Sequence, residues 1–542
     1  MDLASLIEQL SDPGAYPSAV STVEVRHTHI SVVFLAGPYA YKIKKPVQLG
    51  FLDFGTLERR HHFCEEEVRL NRRLASEVYL GVVPVTMSGK RLQMDGHGEP
   101  VEWAVKMQRL PEEATLEKRL GKGEVGIELI RILARKIAAF HAQADTDEAI
   151  AARGRFEVVA GNAWENFEQA AAQVGSTLSR TVYDRLRSLT EQALADRQAL
   201  IEKRARSGVI RDTHGDLHLD HVYLLRERSS LGDLVIIDCI EFNTRFRFAD
   251  PIADMAFLVM DLTFHGRRDL AAAFAEEYFG TSHDEEGRSL LPFYTSYRAA
   301  VRGKVEGFEL AEKEVPDTER AAAGARARAH WLSALDLLEE PQRRPCLVLV
   351  GGLPGTGKST LAAALAEDAG LQILRSDVIR KELAGAPAGS QPSTAFEDGL
   401  YTTAWTERTY AECLRRTEEL LFEGKRVLVD ASFREEKHRR SFLEAAQRWG
   451  VRSVLLLCRA EPEVVRQRLE NRRGDASDAD WRIYLQAAMR WEDPSPPTRR
   501  FVRELHTGGH REGVLAVALD VLGELEIANP LSDGPQTGRA TS

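Results

Sequence analysis

The segment HGDLHLDHV, residues 214–222, crowds three histidines and two aspartates together, a density that points to chemistry rather than packing. Further along, GGLPGTGKST, residues 351–360, carries a second signature. Its core GLPGTGKS, residues 352–359, fits the pattern GxxxxGK[ST]. Gly352, Gly355 and Gly357 let the backbone curl around Thr356 so that N–H groups face phosphate oxygens. Lys358 adds positive charge at the outer phosphates, the hydroxyl of Ser359 suits Mg²⁺, and Thr360 belongs with the nucleotide-binding residues. An apolar strand, CLVLVGG, precedes the loop and a helix, STLAAALAED, follows it, which is the context the motif requires. The fold question is whether one polypeptide carries one active site or two.

The chain has 542 residues, enough for roughly two to four domains. Apolar residues make up 43% and charged residues 28%, ordinary for a globular protein. The net charge of −10 argues against a general nucleic-acid binder, though not against a local basic cleft. The five cysteines stand singly, with no CxxC pair, as in a reduced intracellular protein. The start MDLASLIEQLSD lacks the basic and apolar regions of a signal peptide, and no apolar run approaches the ~18–20 residues that cross a bilayer. A cytoplasmic protein without a membrane partner is expected, and nothing in the pattern speaks to oligomeric state.

Residues 1–110 read mainly as strands, interrupted by the helix LERRHHFCEEEVRLNRRLAS. Residues 115–340 are mostly helical, broken by the strands VYLL and LVIIDCIEF, the latter at 234–242. Residues 341–345 have the composition of a linker. From 346 onward, apolar strands alternate with helices, which implies a parallel sheet covered on both faces. The polar tail 528–542 reads as disordered.

In the C-terminal half, the strand VLVDAS ends in Asp430, placed as the P-loop aspartate near the metal; the plain alternative is a turn or cap residue. RSDVIRKEL, residues 375–383, resembles the small-molecule P-loop kinases, the group of gluconate and shikimate kinases and the zeta toxins. That resemblance implies that Asp377 contacts the acceptor hydroxyl and Arg380 grips the substrate. A capping box opened by Ser376 or Asp377 is the structural alternative. Residues 452–503 hold eleven arginines. In this kinase group a mobile lid carries arginines that neutralise the transferring phosphoryl group, and Arg468, Arg472 and Arg473 are the candidates.

In the N-terminal half, Asp216 follows His214 by two residues, and LVIIDCIEF delivers Asp238 beyond a short hairpin. Upstream, YAYKIKKP sets Lys42 and Lys44 on one side of a strand, EEEVRLNRRL supplies Glu67, and ARKIAAFHA precedes the loop. Together these resemble the aminoglycoside phosphotransferase and choline kinase branch of the protein-kinase-like fold, over roughly residues 25–310. The resemblance implies Asp216 as the base, Asp238 as the Mg²⁺ ligand, Lys42 (alternatively Lys44) as the phosphate lysine and Glu67 as its partner. DPIADMAFLVMDL, residues 250–262, adds Asp254 as a brace for the loop. One residue departs from the family pattern HGDxxxxN: position 221 is histidine, so that either His221 takes the metal role, or Glu241 or Asp220 helps, or the site is weakened. A zinc site of His214, His218 and His221 on one helical face, with Cys239 or Asp238 nearby, is the competing reading; the loop placement and lack of a cysteine pair weigh against it.

The whole chain resembles bacterial fusions of an aminoglycoside phosphotransferase-like domain with a P-loop kinase-like domain of AAA, zeta-toxin or gluconate-kinase type. The expected architecture is an α+β protein-kinase-like two-lobed domain, residues 1–340 (lobes about 1–110 and 111–340), then the linker and an α/β P-loop NTPase domain with a mostly parallel sheet, residues 346–527. The implied activity is ATP- and Mg²⁺-dependent phosphorylation of a small-molecule hydroxyl acceptor in both halves. The rival readings are a pseudokinase N-terminal half regulating the other, a C-terminal half acting on nucleic-acid ends, and a non-enzymatic ATP-gated scaffold.

Overall fold

The computed structural model describes residues 2–49, 52–89, 91–225, 234–311, 316–385, 402–471 and 480–528. The expected tail, from 529 onward, lies outside the described residues, as do Arg472 and Arg473. The chain divides into two compact units: residues 1–162, 196–263 and 267–295 form the first, and 163–195, 264–266 and 296–542 the second.

The first unit opens with a helix, Leu3–Leu10, capped by Asp2, whose side chain accepts the Ser5 N–H at 2.8 Å. A six-stranded antiparallel sheet follows: β1 (Val23–His27), β2 (Ser31–Ala36), β3 (Tyr39–Lys44), β4 (Tyr79–Ser88), β5 (Arg91–Met94) and β6 (Pro100–Gln108), in the order β1-β2-β3-β6-β4-β5. Side chains alternate between the two faces. On β3, Tyr41 and Ile43 join a core with Leu6, Leu10, Phe34 and Val85, while Ala40 packs on the other face with Cys64 and Val68 of helix α1 (Leu57–Ala75). The same alternation turns Lys42 and Lys44 toward α1. The helical part of this unit includes α2 (Ile127–Gln143), α3 (Pro251–Phe264) and α4 (Arg268–Ser282). Every residue of α3 from Pro251 to Leu262 is buried, the pattern of a helix surrounded on all sides.

In the second unit, a five-stranded parallel sheet is built from β7 (Cys346–Gly352), β8 (Gln372–Arg375), β9 (Arg426–Asp430), β10 (Arg452–Arg459) and β11 (Val502–His506), in the order β8-β9-β7-β10-β11. All residues of β7 and β9 are buried, as expected of strands covered on both faces. Helices α5 (Lys358–Asp368), α6 (Ser376–Leu383), α7 (Thr403–Phe422), α8 (Glu436–Arg448), α9 (Pro462–Glu470), α10 (Trp481–Met489) and α11 (Arg511–Glu524) connect or cover them. The chain leaves β7 for the edge strand β8, returns through β9, then crosses to β10 on the opposite side. This reversal of strand order opens a crevice at the carboxyl ends of the strands, where ligands bind in open α/β sheets.

All five cysteines are buried and unpaired. Burial pushes each thiol up, Cys346 to about 11 and Cys64, Cys239, Cys413 and Cys458 to about 12. Among the described residues, no helix is long and apolar enough to cross a membrane.

Candidate active sites

In the first unit, Lys42 Nζ lies 2.9 Å from Glu67 Oε1 and 2.6 Å from Asp238 Oδ1. Lys44 Nζ lies 2.8 Å from Glu67 Oε2 and also pairs with Glu241. Glu67 therefore serves both lysines. Burial alone would lower the Lys42 pKa, but Asp238 and then Glu67 hold it well above the ordinary lysine value. Glu241 goes the other way: burial raises its carboxyl, against the pull of Lys44.

The strand expected over 234–242 is shorter than the sequence implied. It forms only at Leu234–Ile236, paired antiparallel with Val222–Leu224. It ends early because Asp238 adopts a left-handed backbone, φ +66°, rare for a residue with a side chain. Two bonds fix that turn. The Asp238 N–H donates to Tyr79 Oη at 3.2 Å, and the Cys239 N–H donates to Asn71 Oδ1, on α1, at 2.9 Å. Burial would raise the Asp238 carboxyl, but Lys42 and then His221 hold it below the usual carboxylate range.

Helix α3 is the template for the histidine-rich loop. Asp254 accepts the N–H groups of His214 at 3.0 Å and Gly215 at 2.8 Å, and contacts His141 Nε2 at 3.0 Å. Two turns later, Asp261 accepts the Leu219 N–H at 2.9 Å. Gly215 has φ +86°, and a Cβ there would sit 2.9 Å from the Phe246 carbonyl oxygen, so the turn requires glycine. The His214 imidazole is engaged through Nε2 with the Ile237 carbonyl at 3.0 Å, which takes it out of the grouping proposed from sequence. The loop is not a helical face; only a short 3₁₀ turn, Leu219–His221, interrupts it.

His221 stands between the two aspartates. Its Nδ1 is 2.9 Å from the Asp216 main-chain oxygen and 3.7 Å from Asp216 Oδ2, and its Nε2 is 3.7 Å from Asp238 Oδ2. Burial, then His218, pushes the imidazole down to about 4, so it is neutral at physiological pH. His218 Nε2 lies 3.5 Å from Asp216 Oδ2. Asp220 and Glu241 are turned to other partners: burial and a hydrogen bond with Glu117 push Asp220 up to about 7, and Glu241 is held by Lys44.

In the second unit the loop between β7 and α5 carries Gly352, Gly355 and Gly357 at φ +138°, +77° and +88°. A Cβ on Gly352 would lie 2.5 Å from the Cys458 carbonyl oxygen. Lys358 Nζ donates to the Leu353 carbonyl at 2.8 Å, and Thr356 Oγ1 to the same oxygen at 2.7 Å, so the loop is closed on its own backbone. Two cavities share Gly355, Lys358 and Ser359. The first, about 360 Å³, adds Thr360 and Arg468 and ends on the apolar Leu361, Val514 and Leu515. The second, about 160 Å³, brings together Asp377, Arg380 and Asp430.

Asp430 ends β9 and is buried, with Arg375 Nε 3.4 Å from its Oδ2. Burial raises the Asp377 carboxyl, against the pull of Arg380. The capping-box alternative is not met: Arg375 occupies the N-cap of α6 and no side chain caps it. Arg380 is buried, with Nη1 3.4 Å from Thr406 Oγ1. Arg468, on α9, donates from Nη2 to the Thr507 carbonyl at 2.6 Å. Sequence reasoning missed Tyr410, Ser432, Arg434 and His438, all on the second cavity. Tyr410 Oη lies 3.1 Å from Ser432 Oγ and accepts the Phe433 N–H at 2.9 Å, and its ring stacks on His438 at 3.8 Å. No local pattern marks these residues; an aromatic at helical spacing reads as core.

The donors fit a hard cation where they are oxygens: Asp430 and the Ser359 hydroxyl line one cavity, and Asp238 is a carboxylate held ionised beside a lysine. The imidazole of His221 is the exception in that set.

The chain matches the model of the phosphotransferase enzyme family over residues 51–291 and that of an AAA domain over residues 347–494. It is 34% identical over 472 residues to "Uncharacterized protein Rv2004c" of Mycobacterium tuberculosis, covering 87% of this chain and 90% of that one. Among solved structures it is similar to a GDP complex of aminoglycoside 2'-phosphotransferase-IIIa (13% identity, 61% of this chain and 99% of the other, TM-score 0.38). It is also similar to a gluconokinase from Sinorhizobium meliloti 1021 (20% identity, 34% and 95%, TM-score 0.26). The chain belongs to the family that includes Rv2004c, and is a phosphotransferase enzyme in which a protein-kinase-like phosphotransferase region precedes a P-loop kinase-like region.

Proposed function

We propose that this enzyme is bifunctional, with an ATP site in each half and a small hydroxylated molecule as acceptor in both. The domains would run from 1 to 340 and from 346 to 527, joined by 341–345, in a cytoplasmic protein. In the first half, Asp216 orients the acceptor hydroxyl and takes its proton, while Lys42, held by Glu67, neutralises phosphate charge. Lys42 must release Asp238, now 2.6 Å away, to do so. In the second half, the N–H groups around Gly352, Gly355, Thr356 and Gly357 cradle phosphates, and Lys358 turns from the Leu353 carbonyl toward them. Asp377 is the base; its burial raises its proton affinity, which favours that role. Arg380 holds the acceptor, and Arg468, with Arg472, neutralises the phosphoryl group in transfer. Mg²⁺ would be held by Asp238 and His221 in one site and by Ser359 and Asp430 in the other, and would offset the charge of the phosphates, with Thr360 on the nucleotide side.

The observation that carries the two-site reading is the Lys42 ammonium set between Glu67 and Asp238, in the half whose competence His221 puts in question. Asp216→Asn and Lys358→Ala, made separately, test it against sugars, polyols and amino alcohols with ATP. Each substitution should abolish transfer to a different acceptor set. His221 itself favours a second reading: the first half is a nucleotide-binding pseudokinase that regulates one P-loop kinase, acting on a small molecule or a polynucleotide 5'-hydroxyl. In that case only Lys358→Ala abolishes transfer, to every acceptor.

A further inference from the structure

We propose that the histidine-rich loop is also a site for a borderline transition ion such as Zn²⁺, held by Asp216 Oδ2, His218 Nε2 and His221 Nδ1, whose occupation withdraws Asp216 from the acceptor hydroxyl. The regulatory part rests on the reading of Asp216 as the base of the first half; the ligand set does not.

The three residues offer donor atoms that all lie within 4.8 Å of one another. His218 Nε2 and His221 Nδ1 are 3.5 Å and 3.7 Å from Asp216 Oδ2. A tetrahedral ion with bonds of about 2.0–2.1 Å keeps its donors about 3.3 Å apart, so the two distances to Asp216 need to close by only a few tenths of an ångström, and the two imidazole nitrogens start within 4.8 Å of each other. The order of the loop makes the cluster. Asp261 fixes the Leu219 N–H, and the 3₁₀ turn that follows brings the two imidazoles to 3.8 Å between centroids. A donor set of two imidazoles and one carboxylate suits Zn²⁺ or Co²⁺ and disfavours Mg²⁺, which prefers oxygen. A metal on His221 Nδ1 displaces the contact with the Asp216 carbonyl and leaves the ring proton on Nε2. That nitrogen faces Asp238 Oδ2 at 3.7 Å, the carboxylate placed behind a metal-bound histidine. A metal-bound Asp216 carboxylate no longer accepts a proton.

The test titrates the full-length protein with Co²⁺ in excess Mg²⁺ and reads visible absorption. One ion per chain should give d–d bands with no thiolate charge-transfer band, and Zn²⁺ should bleach them. His218→Gln should weaken Co²⁺ binding at least tenfold while MgATP binding, by calorimetry, is unchanged. Absent d–d bands, a thiolate band in the wild type, or unaltered affinity in His218→Gln would each overturn the site. If His218→Gln fails to fold, His438→Gln decides: it disables the group of Glu407, Glu435 and His438, so unchanged bands place the ion at the loop and lost bands overturn the site. Bands that form normally in a protein whose Asp216→Asn variant still phosphorylates every acceptor would overturn the base reading and the inhibition, leaving the ligand set intact.

Discussion

The two lysines of β3 make the sharpest quantitative prediction. Lys44 is fully buried, with Glu67 and Glu241 as its partners. Replacing it by Met leaves two carboxylates in the interior with only Lys42 nearby, and Lys42 is already paired with Asp238. Removing one partner of a buried pair costs about 3–5 kcal/mol, because the remaining charge keeps its desolvation penalty. Glu241→Gln should cost less, about 1–2 kcal/mol, since Lys44 still has Glu67. Combining the two removes both ends of one interaction, so the double variant should fall short of the summed costs by about 2 kcal/mol or more. The probe is hydrogen exchange of the peptide spanning Tyr39–Lys44, which reports opening of this sheet alone in a chain with more than one cooperative unit. A loss of 3 kcal/mol appears there as roughly a hundredfold fall in protection. The reasoning is refuted if Lys44→Met lowers protection by less than about tenfold, or if the two changes add to within about 0.5 kcal/mol.

Asp220, held protonated up to about 7 by burial and Glu117, binds a proton in the folded chain that the unfolded chain, with a carboxyl near 3.9, has released. Its contribution to stability is therefore complete below about pH 4 and is lost as pH rises toward about 7. Glu117→Gln should flatten that decline, seen as a smaller difference in melting temperature between about pH 5 and about pH 8. Gly352→Ala forces a side chain onto φ +138° and against the Cys458 carbonyl, and should cost about 2 kcal/mol or more in urea unfolding of the P-loop half. Asp254→Asn keeps the shape but weakens the bonds to the His214 and Gly215 N–H groups; kcat in the first half should fall at least tenfold with KM for ATP little changed. Calorimetry should count two nucleotides per wild-type chain and one in Lys358→Ala.

The P-loop half was legible because its signals are local: a wholly apolar strand, a glycine-rich turn and a helix follow one another within CLVLVGGLPGTGKSTLAAAL. The β3 lysines were legible for the same reason, since a period of two puts Lys42 and Lys44 on one face. The helix Leu3–Leu10 was overlooked although its signal was present, with Leu3, Leu6, Ile7 and Leu10 at helical spacing behind Asp2. The premature end of the strand before Asp238 was not legible, because the left-handed turn is imposed by Tyr79 and Asn71, far away in sequence. The Lys44–Glu241 pair and the stack of Tyr410 on His438 likewise exist only after distant segments have met.

Every native thiol lies in the interior, where burial pushes it up to about 11 or 12, so hardly any is thiolate at neutral pH. Alkylating probes should therefore find almost nothing to react with in the unmodified chain. Met489, 79% exposed on α10, whose Ile483 and Ala487 line the second cavity, offers a place for one added sulfhydryl. A fluorophore attached to Met489→Cys would thus report ligand entry into the second cavity against a silent background, with no native cysteine needing removal.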